Sequence, residues 1–328
     1  MIVITGGAGF IGSVICAKLQ QKGYKDLVVV DWLGCDDKWK NVAKRELYAV
    51  IAPENAPAFL EAHAPEISAI VHMGAISTTT ERDADAINRN NFELTSFYWD
   101  WCAKNAKQFI YASSAATYGG GEKGFVDDDS LAFLNALRPL NAYGWSKAVF
   151  DRKAAREVME RRPLPAQHVG LKFFNVYGPN EYHKGGQKSV VAHIFPSVKA
   201  GNAARLFKSY NPEYEDGGQL RDFVWVGDVA DIVIWFLEHP DKSGLFNVGT
   251  GKARSFADLA KATFAALDLP AKIDYVDMPE SLRGKYQYYT QADMRKLYAA
   301  GYDKPMTELE EGIRQYVQDF LDREDPYV

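Results

Sequence analysis

Cysteine is scarce in this sequence: Cys16, Cys35 and Cys102 are scattered, and no two of them form a CxxC pair. A disulfide framework, a zinc site and a dithiol redox motif are therefore not expected, and no other metal site is read here. Long apolar runs are missing as well, since none approaches the ~20 residues needed to cross a bilayer. The stretch MIVITGGAGF has no basic start, and its apolar run ends at a glycine cluster, unlike an export signal. These absences read as a soluble, cytoplasmic chain with no membrane partner. Positive charge is not in excess either, with 38 Lys and Arg against 43 Asp and Glu for a net charge of -5. A general nucleic-acid binder would usually carry a basic face, so nucleic acid is not an expected partner. A local basic pocket for a small anion stays open.

What is present is an ordinary globular balance, 47% hydrophobic in 328 residues, enough for one large domain or two modest ones. Short β-branched runs, IVIT (2 to 5), LVVV (27 to 30), AIVHM (69 to 73) and QFIYAS (108 to 113), look like buried strands. Between them GSVICAKLQQKG (12 to 23) and NFELTSFYWDWCAKN (91 to 105) show helical periodicity. That alternation predicts an α/β fold, a Rossmann-type doubly wound parallel sheet covered by helices. VGLKFFNVYGP (169 to 179) reads as a later strand running into a turn, and the charge run at 36 to 46 as a solvated helical face. The pattern loosens between 180 and 221. The expected division is a dinucleotide domain from 1–176 plus 222–251 and a smaller α/β substrate domain from 177–221 plus 252–328.

TGGAGFIG (5 to 12) follows the first strand and opens a helix, with Gly6, Gly9 and Gly12 in GxxGxxG spacing. Glycines allow the tight turn, and the backbone N–H groups of the helix N-terminus can then approach a pyrophosphate. A bare glycine pattern also fits an ordinary turn. Here the flanking elements and Asp31, at the end of the next strand, supply the dinucleotide context. Asp31 suits an adenosine ribose and repels a 2′-phosphate, whereas Lys38, Lys40, Lys44 and Arg45 could each pair with that phosphate. From the residues alone, NAD and NADP both stay open.

Tyr143 and Lys147 in YGWSK would share one helical face. A free phenol titrates near ~10, too high for a base at neutral pH. A neighbouring ammonium is expected to lower that value, and the same lysine can bond a nicotinamide ribose. Ser114, just past a strand, could steady a substrate hydroxyl. YxxxK alone is common on surface helices; behind a glycine cradle it points to dehydrogenase-type chemistry.

Taken together, TGGAGFIG, YASSAATYGG, YGWSK and FFNVYGP resemble the extended short-chain dehydrogenase/reductase superfamily of nucleotide-sugar enzymes. The resemblance implies a tightly held NAD(P) and a catalytic trio of Ser114, Tyr143 and Lys147. Dehydratases of that superfamily carry an acid and a carboxylate just after the serine. Ala115 and Ala116 stand there in this chain, which leaves epimerisation or dehydrogenation.

A narrower resemblance runs nearly end to end. EYHKGGQKSVVAHI (181 to 194), GAISTTTERD (74 to 83), RDFVWVGDVADIVIWFLE (221 to 238) and YQYYTQADMRKLYAAGYDKP (286 to 305) are similar to the family of ADP-L-glycero-D-manno-heptose 6-epimerases of lipopolysaccharide core synthesis. That family implies an ADP-heptose substrate, an NADP cofactor and a homo-oligomer, a pentamer. It also implies a second acid/base, Lys184, because inversion presents the carbonyl oxygen to two different protein environments. By the same resemblance Phe10, Ile11, Asp31, Trp32 and Lys38 would line the adenosine half of the cofactor. Met73, Gly74, Ala75, Ile76, Ser77 and Asn90 would pass its centre, with Val176, Lys147 and Lys184 near the nicotinamide. Ser114, Asn175, Gly186, His193, Phe207, Lys208, Ser209, Tyr210, Arg221 and Tyr286 would face the ADP-sugar, with the Arg221 guanidinium suited to the diphosphate. Departures from the pattern are Gly186 and Gln187, a longer loop at 211 to 220, and Trp32. The rival readings are a UDP-hexose 4-epimerase and a non-enzymatic NADP(H)-sensing scaffold; the scaffold would have shed the tyrosine or the lysine.

Overall fold

The computed structural model describes residues 1–283 and 286–328. Seven strands make the main sheet: β1 (Ile2–Thr5), β2 (Leu27–Val30), β3 (Ala49–Ile51), β4 (Ala69–His72), β5 (Gln108–Ser114), β6 (Gln167–Phe173) and β10 (Gly244–Val248). Their order is β10-β6-β5-β4-β1-β2-β3 and every pairing is parallel. The order reverses between β1 and β4, so a crevice opens at the carboxyl ends of those strands, where open α/β sheets bind ligands. Every residue of β1, β2 and β4 is buried, as expected of strands covered by helices on both faces.

A smaller sheet of three strands joins β7 (Asn175–Tyr177), β9 (Leu220–Trp225) and β11 (Ala253–Ser255), and β8 (Ala204–Phe207) pairs in parallel with β12 (Ile273–Val276). Two hydrophobic cores follow. The larger fills the main sheet and takes in Val224, Val226, Ala292, Met294, Leu297 and Tyr302. The smaller gathers Tyr177, Val191, Phe195, Phe223, Leu259 and Tyr316. The chain therefore changes core inside β9, where alternate residues face different sides. The segment 292–302 packs on the larger core, not with the rest of the C-terminal region.

Local chemistry starts the helices that matter for the cleft. Asn141 accepts the Gly144 N–H at 2.8 Å to begin Ala142–Met159, and Ser189 caps Val190–Lys199. The face of Ala142–Met159 that carries Gly144, Lys147, Asp151 and Ala154 is buried. A Cβ on Gly144 would meet the Ala116 carbonyl at 2.6 Å, so only glycine lets this helix press against the turn after β5. The 36 to 46 run does not form a solvated helical face throughout: it makes the short 3-10 helix Asp37–Val42, with Asn41 and Val42 buried. The helix expected over 91–105 begins at Leu94, behind a widened π-helical turn at Asn88–Glu93. Among the described residues no helix is long and apolar enough to cross a membrane.

Candidate active site

A cavity of about 830 Å³ lies between the two cores. The turn after β1 forms one end. Gly6 has φ +64°, and a Cβ there would lie 2.5 Å from the Gly74 nitrogen, so the turns after β1 and β4 touch backbone to backbone. No side chain caps the helix Phe10–Gln21, which leaves its first N–H groups facing the cleft. Beneath the turn, Thr95 Oγ1 donates to the Asn91 carbonyl and so accepts from His72 Nε2 at 2.9 Å. His72 Nδ1 must then accept from Thr5 Oγ1. Burial holds this imidazole neutral, with its pKa pushed down to about 3.

At the end of β2 the Asp31 carboxylate accepts from the Ala8 N–H at 3.0 Å and from Lys38 Nζ at 2.7 Å. Lys38 also donates to the Trp32 carbonyl. Asp31 is thus already paired, and an ammonium stands beside it.

The strand end of β5 and the helix Ala142–Met159 bring Ser114, Tyr143 and Lys147 to the same cavity. Ser114 Oγ accepts the Ala116 N–H at 3.1 Å, and Ser114 acts on the Tyr143 phenol to lower its pKa. Lys147 is 3% exposed, and burial pushes its pKa down to about 8, with Asp151 opposing. The lowered phenol expected from the YxxxK spacing is not found. Burial raises the Tyr143 pKa; the Ser114 hydrogen bond opposes this and the charge of Asp151 adds to it. Desolvating a phenolate here outweighs the nearby ammonium.

Lys184 lines the same cavity from another element, the short segment Tyr182–Gln187. Burial pushes its pKa down, and the Glu181 carboxylate opposes. Its ammonium lies 5.4 Å from the centroid of the Phe10 ring. Glu181 fixes the segment by accepting from Ser189 Oγ at 2.6 Å and from Tyr316 Oη at 2.9 Å.

Of the other expected residues, Gly9, Ile11, Gly12, Met73, Ala75, Ile76, Ser77, Asn175 and Val176 also line the cavity. Several do not. Trp32 is 54% exposed, and its indole N–H donates to Glu54 rather than turning inward. Asn90 bonds back to the Ala86 carbonyl of its own helix. It is Asn91, buried by the π-helical turn, that holds both the N–H and the carbonyl of Ile76 and donates to Ser146. Gly186 and His193 sit outside the lining and approach each other at 3.4 Å. Ser209 bonds within its own loop, and Lys208 pairs with Asp277. Tyr210 lies under the Arg283 guanidinium, 4.0 Å from its ring centroid.

Arg221 is buried between the Phe256 and Tyr286 rings, at 5.7 and 5.2 Å; of these three only Phe256 lines the cavity. Phe207 ends β8 in the same small domain. Among the described residues no carboxylate pairs with Arg221. The adjacent Asp222 turns away to accept from Thr250, Gly251 and Ala292. Sequence reasoning missed Asn91, and it missed Asp151 and Lys172, a fully buried pair at 2.6 Å behind the lysine. The helical spacing of Asp151 from Lys147 was available; its strand partner was not.

The arrangement fits a nicotinamide dinucleotide: an uncapped helix end behind glycines, a carboxylate–lysine pair at one end, and a tyrosine with a lysine at the other. Comparison with known proteins gives the same answer. Residues 2–249 match the model of the NAD dependent epimerase/dehydratase family. The ADP-L-glycero-D-manno-heptose-6-epimerase of Fusobacterium nucleatum is 49% identical over the full length of both chains. The crystal structure of the Helicobacter pylori protein of that name is 28% identical, with a TM-score of 0.76 over 97% of this chain and 95% of that one. A Thermus thermophilus UDP-glucose 4-epimerase in complex with NAD is 25% identical, with a TM-score of 0.75 over 96% and 97%.

Proposed function

From the premise that the chain belongs to the NAD dependent epimerase/dehydratase family, we propose that it inverts C6″ of ADP-glycero-manno-heptose with NADP, for lipopolysaccharide core synthesis. The observation that carries the reading is that Tyr143 and Lys184, from separate elements, line one cavity. A bound nicotinamide would accept a hydride from C6″ and return it to the other face of the resulting ketone.

The protein's own groups handle the protons. Tyr143, with Ser114 lowering its pKa, takes the hydroxyl proton on the first face. Lys147, its pKa near 8, is mostly charged at neutral pH and favours the phenolate. Once the carbonyl has turned, Lys184 gives a proton to the oxygen on the second face. Arg221, buried and without a carboxylate partner, takes the diphosphate and leaves the sugar free to turn. NADP is favoured because Lys38 already neutralises Asp31 and stands where a 2′-phosphate would need a cation. A homo-oligomer belongs to the same reading, on resemblance alone.

The test incubates the purified protein with ADP-glycero-manno-heptose and, separately, with UDP-glucose, and analyses product stereochemistry. Inversion of the heptose is expected. Turnover of UDP-glucose alone would make it a hexose 4-epimerase. Mass analysis of cofactor released on denaturation is expected to find NADP, and finding NAD would refute the Lys38 argument.

A further inference from the structure

Behind the cavity, on the side away from substrate, the carboxylate of Asp151 is enclosed completely. It accepts from Lys172 Nζ at 2.6 Å, Ser113 Oγ at 2.7 Å and Tyr111 Oη at 3.1 Å. Lys172 also donates to Thr117 Oγ1 at 2.7 Å, which in turn donates to the Ser114 carbonyl at 2.8 Å. Its ammonium lies 4.9 Å from the centroid of the Tyr118 ring. Asp151 is one helical turn past Lys147 and two past Tyr143 on one buried face. Ser113 is the chain neighbour of Ser114, and Lys172 precedes Phe173, which lines the cavity.

We propose that the Asp151–Lys172 pair is a positioning device for the epimerisation: it ties the strand end bearing Ser114 to the helix bearing Tyr143 and Lys147, and it keeps the charge behind that helix neutral. The inference rests on the reading of Tyr143 as the proton-accepting group. Asp151 is the carboxylate whose charge Lys147 feels, and its effect on both Lys147 and Tyr143 is upward. Burial pushes the Lys172 pKa down and Asp151 opposes; at contact distance the ammonium offsets that charge. The remaining groups facing this network do not replace it. His72 on β4 is neutral, Asp127 and Arg152 act on Lys172 with opposite signs, and Asp129 acts on Tyr111. Lys184 lines the cavity from another element.

The consequence is specific. Without Lys172, the bare Asp151 charge raises Tyr143 and Lys147 together, and both limbs of the pH–rate profile move to higher pH by about one unit. Removing both charges restores neutrality. The experiment measures pH–rate profiles with ADP-heptose on cofactor-loaded wild type, Lys172→Met, Lys172→Arg and the double variant Asp151→Asn/Lys172→Met. An alkaline shift is expected in Lys172→Met alone, with the double variant and Lys172→Arg returning toward wild type. An unmoved profile in Lys172→Met, or a double variant shifted as far as the single, would overturn the proposal, because a merely structural pair leaves the double no better. Breaking a buried pair destabilises; if Lys172→Met does not fold, Lys172→Gln makes the same charge change and keeps a donor toward Thr117. If the wild type leaves ADP-heptose unturned, the substrate assignment has failed and not the pair. The same shifts are then read from the Tyr143 titration by tyrosine-ring carbon NMR in the cofactor-loaded protein.

Discussion

At the scale of single residues, the two groups proposed to carry protons sit in one cavity in different environments. Tyr143 is raised by burial, with Ser114 opposing, while Lys184 is lowered by burial, with the Glu181 carboxylate opposing. The upward shift takes the phenol away from neutrality and the downward one brings the ammonium toward it, so the phenol needs a cation beside it during turnover. Tyr143→Phe keeps the ring and its packing but removes the proton acceptor. We expect epimerisation to fall roughly 10²- to 10⁴-fold, with cofactor retention after purification unchanged. Lys184→Ala should also abolish inversion while leaving oxidation of the substrate at the first face measurable as bound reduced cofactor by absorbance. Wild-type inversion in that variant would remove Lys184 from the reaction. The trio and the glycines were legible in the sequence because each is a local motif whose spacing sets its geometry. Asp151 with Lys172 was not, because a helix residue and a strand residue meet only once the sheet is assembled, and Asn91 with Ile76 was not, because the turn that brings Asn91 inward leaves no spacing signal.

Among the elements, the parts that read correctly are those with strong periodicity. The runs forming β1, β2, β4 and β5 are β-branched and fully or nearly fully buried, so pattern alone identifies them. Strand β3 is three residues long and half-exposed, too short to leave a pattern. The π-helical turn at Asn88–Glu93 has no spacing signal either, yet it decides that Asn91 rather than Asn90 points inward. The end of β4 carries a further consequence through His72. A free imidazole titrates near 6.5, and the folded one is pushed down to about 3. Between those values the unfolded chain binds a proton that the native chain does not, so stability is full above about pH 6.5 and is lost as the pH falls. His72→Gln, which retains polar atoms for Thr5 and Thr95, should flatten that acid limb. Denaturant midpoints measured from pH 7 down to pH 4 check it: an equally steep decline in the variant would place the acid sensitivity elsewhere.

Over the whole molecule, this epimerase works across a cleft whose walls belong to different cores, so the walls must be held in register. The cap residues and strand pairings fix each wall separately. Near Lys184 the walls are bridged by Asn41, which donates to the Asn180 carbonyl and meets His183, and by the far end of the chain. Lys44 pairs with Asp325 at 2.9 Å and donates to the Tyr327 carbonyl, while Tyr182 Oη donates to the Pro326 carbonyl at 2.9 Å. The Val328 N–H donates to Asn180 Oδ1, and Asn180 Nδ2 donates to Ser13 Oγ on the glycine-turn helix. The Tyr182 and Tyr327 rings meet edge to face at 5.3 Å. Lys44 and Asp325 are exposed enough that their ion pair alone contributes little. The hydrogen bonds to Tyr182 and Asn180 flank Lys184 and connect its segment to the cofactor side. Deleting residues 325–328 removes them and, of the two cores, touches only the edge of the larger one, where Val328 packs. We therefore expect the melting temperature to fall by only a few degrees, while kcat/KM drops roughly ten- to hundredfold because Lys184 is no longer held at its wall. The distinguishing measurement is Lys184→Ala made in the shortened chain. If the tail acts through Lys184, the two changes together cost little more than Lys184→Ala alone. Fully multiplicative losses would mean that the tail serves another part of the cleft.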